Sequence, residues 1–471
     1  MQAHNLMKQL FLKLLLFLFC STVITEASAQ PLLSYTPLVH DSLQLLNIKN
    51  TIRQNYLKDS ASITGENKKQ IIGFYRDRYQ NLADMFKEKE FVNNPEADSY
   101  LNALVTQIFK SNPQLTKLGT RFLFSRVYWP NAFSAGDGTI VFNIGLFAKL
   151  DNESQAVFTL CHELAHLYLD HSTQGIMQYV NTVNSKDFQE QLKEIKKSKY
   201  EVNKQLEKLE KGLVFKSRRH GREHETEADS VGLSFMQNTG YSLKGALTGL
   251  GLLDEIDKDT YAADSGLQRC FSFAQMPFNK NWLKKETGFF GGVPDKNIST
   301  KEKDSLKTHP DCKARIAKLT PIVERTDKPG NKDFVVSEVE FTTLKNKFKF
   351  EVVEFCFVSK RISRCLYYAL ELLDANPDNV YLVTIIGKCY NEMYSNQKDH
   401  TLNRVVDLPS PYSDENYDAL TQFIQNISLN NMASLGYYFL NNYKAKMAGN
   451  AGFDKAFAIS SKNFTTQNAN P

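Results

Sequence analysis

The residues VFTLCHELAHLYLD, at positions 157–170, decide the fold and the chemistry of the central part of this 471-residue chain. Their apolar positions recur at helical spacing, which predicts one buried helix over residues 153–170. His162 and His166 are four residues apart, so both can offer a ring nitrogen to one metal ion from the same helix face. The alternative is a pair of unrelated surface histidines. Two histidines and a glutamate on a buried helix are costly unless they are bound to something, so we favour the metal site.

Glu163 follows the first histidine and suggests that this metal site is catalytic. Zinc prefers tetrahedral coordination by nitrogen, oxygen and sulfur, and a catalytic site keeps one position for water. A carboxylate beside the first ligand can take the proton of that water. The pattern therefore predicts one zinc ion per chain, bound by His162 and His166, with Glu163 as the general base.

A third ligand is expected in the acidic segment that follows residue 222. Glu225 and Asp229 are four residues apart and share a helix face. We predict that Glu225 binds the metal and that Asp229 accepts a hydrogen bond from a ligand histidine, which orients the ring. Glu227 is predicted to point to the other side of the helix. His224 and Glu223 remain competing candidates for the third ligand.

The two patterns together, HExxH at 162–166 and ExxxD at 225–229, resemble the family of zinc metallopeptidases that includes HtpX, the CAAX prenyl protease and the periplasmic protease BepA. The resemblance covers about residues 90–320 and implies a gluzincin, a zincin-type domain with a small β-sheet. Three flanking stretches also fit the family: Asn131-Ala132-Phe133 with Gly138 and Gly145-Leu146, Gly240-Tyr241 with Ala246, and Thr308-His309-Pro310 with Arg315.

The resemblance also implies roles for three residues outside the two patterns. His309 would be catalytic, and it either stabilises the oxyanion or occupies the open zinc position in a resting state; a plain surface histidine is the alternative. Arg315 either anchors the segment around His309 or contacts a substrate carbonyl. Asn131 has either a substrate-binding or a structural role.

The N-terminus predicts export. Lys8 and Lys13 flank the start of a short apolar run that ends in Ala27-Ser28-Ala29, which is typical of a cleaved secretory signal over residues 1–29 rather than a membrane anchor. No later run is long and apolar enough to span a membrane. HtpX and the prenyl protease are multi-spanning membrane proteins, so the soluble, exported BepA-like branch is the closer resemblance. A periplasmic or secreted location is expected.

Composition excludes one class of partner. The formal net charge is +5, charged residues make up 23% of the chain, and no basic block is interleaved with aromatic residues, so no nucleic-acid partner is expected. The six cysteines beyond the signal segment are too sparse for a disulfide framework, although one or two disulfides remain open.

The domain organisation is predicted as α+β and mainly helical. An N-terminal helical segment (30–90) precedes the metallopeptidase domain (91–325), a helical C-terminal domain (326–464) and a disordered tail (465–471). Residues 350–395 resemble a tetratricopeptide-repeat junction, with a plain helical hairpin as the alternative.

Three local predictions concern the surroundings of the metal helix. Residues 121–129 and 139–143 are expected to pair as a hairpin or edge pair, with 139–143 as an exposed edge where a substrate peptide adds. Residues 186–212 are expected to form one surface helix. Residues 258–308 are expected to form a long loop beside the site.

Together these patterns predict an exported zinc endopeptidase of protein quality control that hydrolyses misfolded or envelope proteins. Its partners would be the polypeptide substrate and proteins bound by the C-terminal helices. The alternative is a chaperone-like or scaffold binding protein with a largely latent zinc site. A metallohydrolase acting on a non-peptide substrate is a third reading.

Overall fold

The computed structural model describes residues 35–38, 43–198, 201–256, 258–284, 311–326, 330–410 and 413–468, with the backbone alone at 212–219 and 468. These residues are mostly helical with a small sheet, so the α+β, mainly helical fold predicted from the sequence is confirmed. The predicted signal segment 1–29 lies outside the described residues.

The helices divide into those that precede residue 330 and those that follow it. The first set is α1 (Leu43–Ser62), α2 (Lys68–Lys87), α3 (Pro95–Ser111), α4 (Ile144–Phe147), α5 (Glu153–Tyr168), α6 (His171–Val183), α7 (Lys186–Lys197), α8 (Val202–Met236), α9 (Lys244–Asp254), α10 (Ala263–Cys270) and α11 (Cys312–Arg325). The second set is α12 (Glu338–Val358), α13 (Ile362–Ala375), α14 (Val380–Lys398), α15 (Glu415–Asn426), α16 (Leu429–Met447) and α17 (Ala451–Asn468).

The sheet has three strands, β1 (Arg121–Ser125), β2 (Ala132–Ser134) and β3 (Thr139–Asn143), in the order β1-β3-β2. β3 runs parallel to β1 and antiparallel to β2, with Leu123 opposite Val141 and Phe133 opposite Val141. The predictions of a hairpin between 121–129 and 139–143 and of β3 as an exposed edge were wrong, because β3 runs parallel to β1 and is central and buried along its whole length. Its apolar middle lacks the alternation of a half-exposed strand, which agrees with burial on both faces.

The metal helix α5 is anchored at its first turn. Asn152 caps the helix by accepting a hydrogen bond from the Gln155 main-chain N–H at 3.1 Å. The fully buried Glu153 carboxylate accepts bonds from two tyrosine hydroxyls and three main-chain N–H groups: Tyr100 (2.7 Å), Tyr241 (2.9 Å), Val335 (2.7 Å), Val336 (2.9 Å) and Ser337 (2.7 Å). These hydrogen bonds therefore connect the start of α5 to residues 335–337, which lead into α12.

α8 lies directly against α5. A Cβ atom added to Gly232 would come within 3.0 Å of the Cα and main-chain nitrogen of His162, so the two helix backbones are nearly in contact at this point. The prediction of one surface helix over 186–212 was wrong. The segment divides into α7 and α8, since the backbone leaves the helical region at Ser198 (ψ 137°) and α8 then continues for 35 residues.

The predicted loop at 258–308 is partly helical among its described residues. α10 and a 3₁₀ turn at Lys280–Leu283 interrupt it, because Leu267 and Trp282 bury their side chains and hold these turns. Residues 285–308 lie outside the described residues.

The C-terminal region consists of helices that pack on their neighbours, α12 on α13, α13 on α14, and α16 on both α14 and α17. Asparagine and serine side chains cap several of them, as at Ser337 and Asn379. The kinship to tetratricopeptide repeats stays a prediction. The prediction of a disordered tail was wrong for residues 465–468, which are helical: Phe464 stacks on Tyr437 at 4.4 Å, and Gln467 donates to the Tyr394 hydroxyl at 2.8 Å.

Two further observations bear on the sequence predictions. Across the described part of the chain, every helix is too short or too polar to cross a membrane. The six cysteines are free thiols there, and Cys365 and Cys389 lie closest, with their sulfur atoms 3.4 Å apart.

Candidate metal centre

Three side chains from α5 and α8 converge on one point. The Nε2 atoms of His162 and His166 are 3.1 Å apart, and the Glu225 carboxylate oxygens lie 3.5 Å and 3.3 Å from them respectively. The three prospective ligand atoms all lie within 4.8 Å of one another. Two imidazole nitrogens and one carboxylate are a donor set that suits zinc, so this group can hold a metal ion.

Glu163 lies next to this group and is buried. Its Oε1 atom has no hydrogen-bond partner among the described residues. A buried carboxylate oxygen without a partner is costly, so this atom calls for a water or a substrate N–H beside the metal position. This placement fits a residue that takes a proton from water.

Asp229 and Arg315 contact the predicted ligand side chains and hold them in place. Asp229 Oδ1 lies 3.0 Å from Nδ1 of His162, on the side of the ring opposite the convergence point. Arg315 donates to both oxygens of Asp229, at 2.7 Å and 2.6 Å, and its Nη1 lies 2.9 Å from Glu225. The sequence left Arg315 open between anchoring and substrate contact; its buried guanidinium is engaged by these two carboxylates.

The carboxylates around His162 favour a positive charge at its ring. Burial lowers the pKa of His162, but hydrogen bonds to Asp229 and Glu225 outweigh burial and raise the pKa to about 10. For Asp229, burial raises the pKa, while the hydrogen bonds from Arg315 and His162 prevail and lower it. The carboxylates thus stabilise a cation at the ring, which is either a proton or a metal ion.

The sequence missed His171. Its Nδ1 lies 2.9 Å from Nδ1 of His166, its Nε2 lies 3.3 Å from a Glu227 oxygen, and its ring stacks on His224 at 4.1 Å. Glu227 lies outside the group that can hold a metal, and its half-exposed carboxylate contacts His171 rather than a ligand histidine. A continuous helix would place residue 171 on another face, but Asp170 adopts φ 54° and turns the chain so that α6 starts at His171.

The other candidates lie apart from the convergence point or outside the described residues. His224 stacks on His171, and Glu223 pairs with His220 at 3.0 Å, so neither belongs to the group that can hold a metal. Asn131 immediately precedes β2, and its carbonyl accepts a hydrogen bond from the main chain of β3 at 3.0 Å. His309 lies outside the described residues.

The helix pair, its HExxH and ExxxD residues and the small sheet all lie in a part of the chain that matches a known family. Residues 95–323 match peptidase family M48. The chain therefore carries an M48 metallopeptidase domain, which is followed by a helical C-terminal region. No curated protein matches the chain.

The M48 match extends from the first residue of α3 almost to the end of α11. It includes both helices that supply the converging side chains, together with the Arg315 that braces them. The M48 domain supports a hydrolase that acts on peptide bonds with the help of a metal ion.

Proposed function

We propose that this chain is an exported, zinc-dependent endopeptidase of the soluble BepA-like branch that hydrolyses misfolded or envelope proteins. The observation that carries the proposal is the convergence of His162, His166 and Glu225 beside the buried Glu163, whose Oε1 has no partner among the described residues. The M48 match supports peptide-bond hydrolysis, and the signal-like residues 1–29 support export.

In this proposal His162, His166 and Glu225 hold the zinc, with Asp229 and Arg315 keeping the ligands in place. When bound there, zinc would act as a Lewis acid that makes water more acidic and increases the electrophilicity of the scissile carbonyl. Glu163 takes the proton of the attacking water and delivers it to the leaving amine. By family resemblance, His309 remains a candidate for stabilising the oxyanion or for occupying the open position.

The sheet suggests how a substrate is aligned. β2 is an edge strand that packs beside α5, and in the described ranges it pairs with β3 alone. An extended peptide that adds to β2 would form main-chain hydrogen bonds that tolerate varied sequences, which suits unfolded substrates. This replaces the β3 edge predicted from the sequence.

Comparison of the wild type with Glu163→Gln tests the proposal. Both proteins should bind about one zinc per chain, because Glu163 is not a ligand. Wild type should cleave casein and an unfolded outer-membrane polypeptide, lose activity with a chelator and regain it with zinc. Glu163→Gln should lose turnover by at least about 10²-fold, as expected for a general base. His162→Ala should lose the metal.

Equal proteolysis by wild type and Glu163→Gln would contradict the mechanism. Suppressed aggregation of the unfolded polypeptide without cleavage, equal in both proteins, would instead favour the chaperone-like alternative. The mass of the protein recovered from the exporting cell tests the predicted start at Gln30.

A further inference from the structure

We propose that His171 and Glu227 are positioning residues that hold His166 in the tautomer and orientation needed to bind metal. The inference rests on the proposed zinc site. A series of hydrogen bonds lies on the side of His166 opposite the metal position. This series is separate from the Asp229–Arg315 pair that contacts His162.

The metal position determines which ring nitrogen of His166 carries the proton. Its Nε2 faces the convergence point, 3.1 Å from His162 Nε2 and 3.3 Å from Glu225. A neutral imidazole that gives its Nε2 lone pair to a metal must carry its proton on Nδ1. That Nδ1–H needs an acceptor, and the partner that the described residues place at hydrogen-bond distance is Nδ1 of His171, at 2.9 Å.

The hydrogen bond from His166 determines which ring nitrogen of His171 carries the proton. Because Nδ1 of His171 accepts from His166, the single proton of its neutral ring lies on Nε2. Nε2 lies 3.3 Å from a Glu227 oxygen, to which it can donate. Each donor then meets an acceptor: His166 Nδ1–H donates to His171 Nδ1, and His171 Nε2–H donates to Glu227.

The surroundings of His171 keep its ring in place. The residue is buried, and its ring lies parallel to that of His224 at 4.1 Å and 8°. The left-handed Asp170 brings α6 back toward α5, so that the ring meets His166. The ring of His171 is therefore held in one orientation beside Nδ1 of His166, which is the nitrogen that would not bind the metal.

The two ligand histidines are held with different strength. His162 is held by the charged, buried Asp229, which Arg315 engages through two hydrogen bonds. His166 is held by a neutral ring, and the Glu227 behind it is half exposed. Hydrogen bonds to charged acceptors are roughly twice as strong as neutral ones, so loss of His171 should weaken metal binding less than loss of Asp229 does.

The test uses conservative and disruptive variants at both positions in the full chain. Asparagine places an acceptor oxygen close to the position of the histidine Nδ1, so His171→Asn keeps the acceptor while His171→Leu removes it. Glu227→Gln keeps an acceptor for His171 Nε2 while Glu227→Ala removes it. His220→Ala is the control on α8, because His220 pairs with Glu223 rather than with the metal ligands.

Zinc affinity, measured by competition with a chelator, should fall by about 10-fold in His171→Leu, the lower end of the usual loss for groups that orient ligands. His171→Asn should recover most of this loss. Glu227→Gln should lose less zinc affinity than Glu227→Ala, because the amide oxygen still accepts from His171, and His220→Ala should bind zinc normally. NMR of ¹⁵N-histidine-labelled, zinc-loaded protein should show His166 protonated at Nδ1 in wild type and faster exchange of that proton in His171→Leu.

Wild-type zinc affinity and unchanged His166 signals in both His171→Leu and Glu227→Ala would overturn the inference. Should His171→Leu fail to fold, the Glu227 pair decides the matter, because the half-exposed Glu227 side chain is not part of the core. Failure of wild type to bind zinc would overturn the proposed function together with this inference, whereas normal zinc binding by every variant would overturn this inference alone.

Discussion

At the scale of single residues, Asp229 connects the metal ligand His162 to Arg315. Its carboxylate lies against His162 on one side and accepts two hydrogen bonds from Arg315 on the other. All three side chains are buried, so none of their charges can turn to solvent when a partner is lost. A buried charge without its partner is strongly destabilising.

We therefore expect Asp229→Ala to weaken zinc affinity by about 10–100-fold, because His162 loses the group that fixes its ring. The same variant should also lower the free energy of unfolding, by roughly 3–5 kcal/mol, since it leaves Arg315 buried without one of its two carboxylates. Zinc competition and denaturant unfolding measure the two effects. Glu223→Ala, on the exposed side of α8, is the control and should change neither. Wild-type zinc affinity in Asp229→Ala would contradict the assigned role.

At the scale of secondary-structure elements, the metal centre requires α5 and α8 to approach closely. Gly232 permits this, because a Cβ there would lie 3.0 Å from the Cα and main-chain nitrogen of His162. Neither of these contacts is a flexible side chain that could move aside. Glu225 lies two helical turns before Gly232 on the same helix, so the spacing of the two helices sets its distance from the histidines.

Gly232→Ala is therefore expected to push α8 away from α5 and to weaken zinc binding. The displacement should also lower stability, by about 1–3 kcal/mol, as overpacking usually does. Gly221→Ala on the same helix is the matched control, because a Cβ there meets no atom of the described residues within 4 Å. It should leave zinc affinity unchanged and stabilise the helix by up to about 1 kcal/mol. Equal behaviour of the two alanine variants, measured by zinc competition and thermal unfolding, would show that this contact is unimportant.

At the scale of the whole molecule, the M48 domain and the C-terminal helices are joined by buried charges. Arg126, which follows β1, donates to Glu351 on α12 at 2.5 Å, and both side chains are buried. Glu351 also accepts from the Tyr35 hydroxyl and, at 3.1 Å, from the Leu38 main-chain N–H. Together with the bonds of Glu153 to residues 335–337, these contacts join the described residues of the two regions in one compact unit.

We expect this unit to unfold in a single calorimetric transition that Glu351→Leu destabilises by roughly 3–5 kcal/mol, because Arg126 is left buried and unpaired. The double variant Arg126→Met with Glu351→Leu should recover a large part of the loss, since neither charge then remains buried. Asp378→Ala removes an exposed pair with Lys446 and should cost less than about 1 kcal/mol. Two well-separated transitions in wild type would contradict the proposed coupling.

The sequence by itself determined the parts of the centre that depend on local geometry. The helical period places His162 and His166 on one face of α5, and it places Glu225 and Asp229 on one face of α8, without reference to the rest of the chain. The motifs also indicated the family whose match covers residues 95–323, and hydrophobic spacing predicted the buried helix that carries the two histidines.

Only the tertiary structure decided how these local patterns combine. The meeting of α5 and α8 depends on packing at Gly232, and the central position of β3 depends on which strands pair with it. His171 joins the centre because one left-handed residue, Asp170, redirects the chain after α5, and no periodicity marks such a turn. Arg315 lies more than 80 residues from the carboxylates it binds, and contacts at that separation follow from the packing of whole elements rather than from spacing along the sequence.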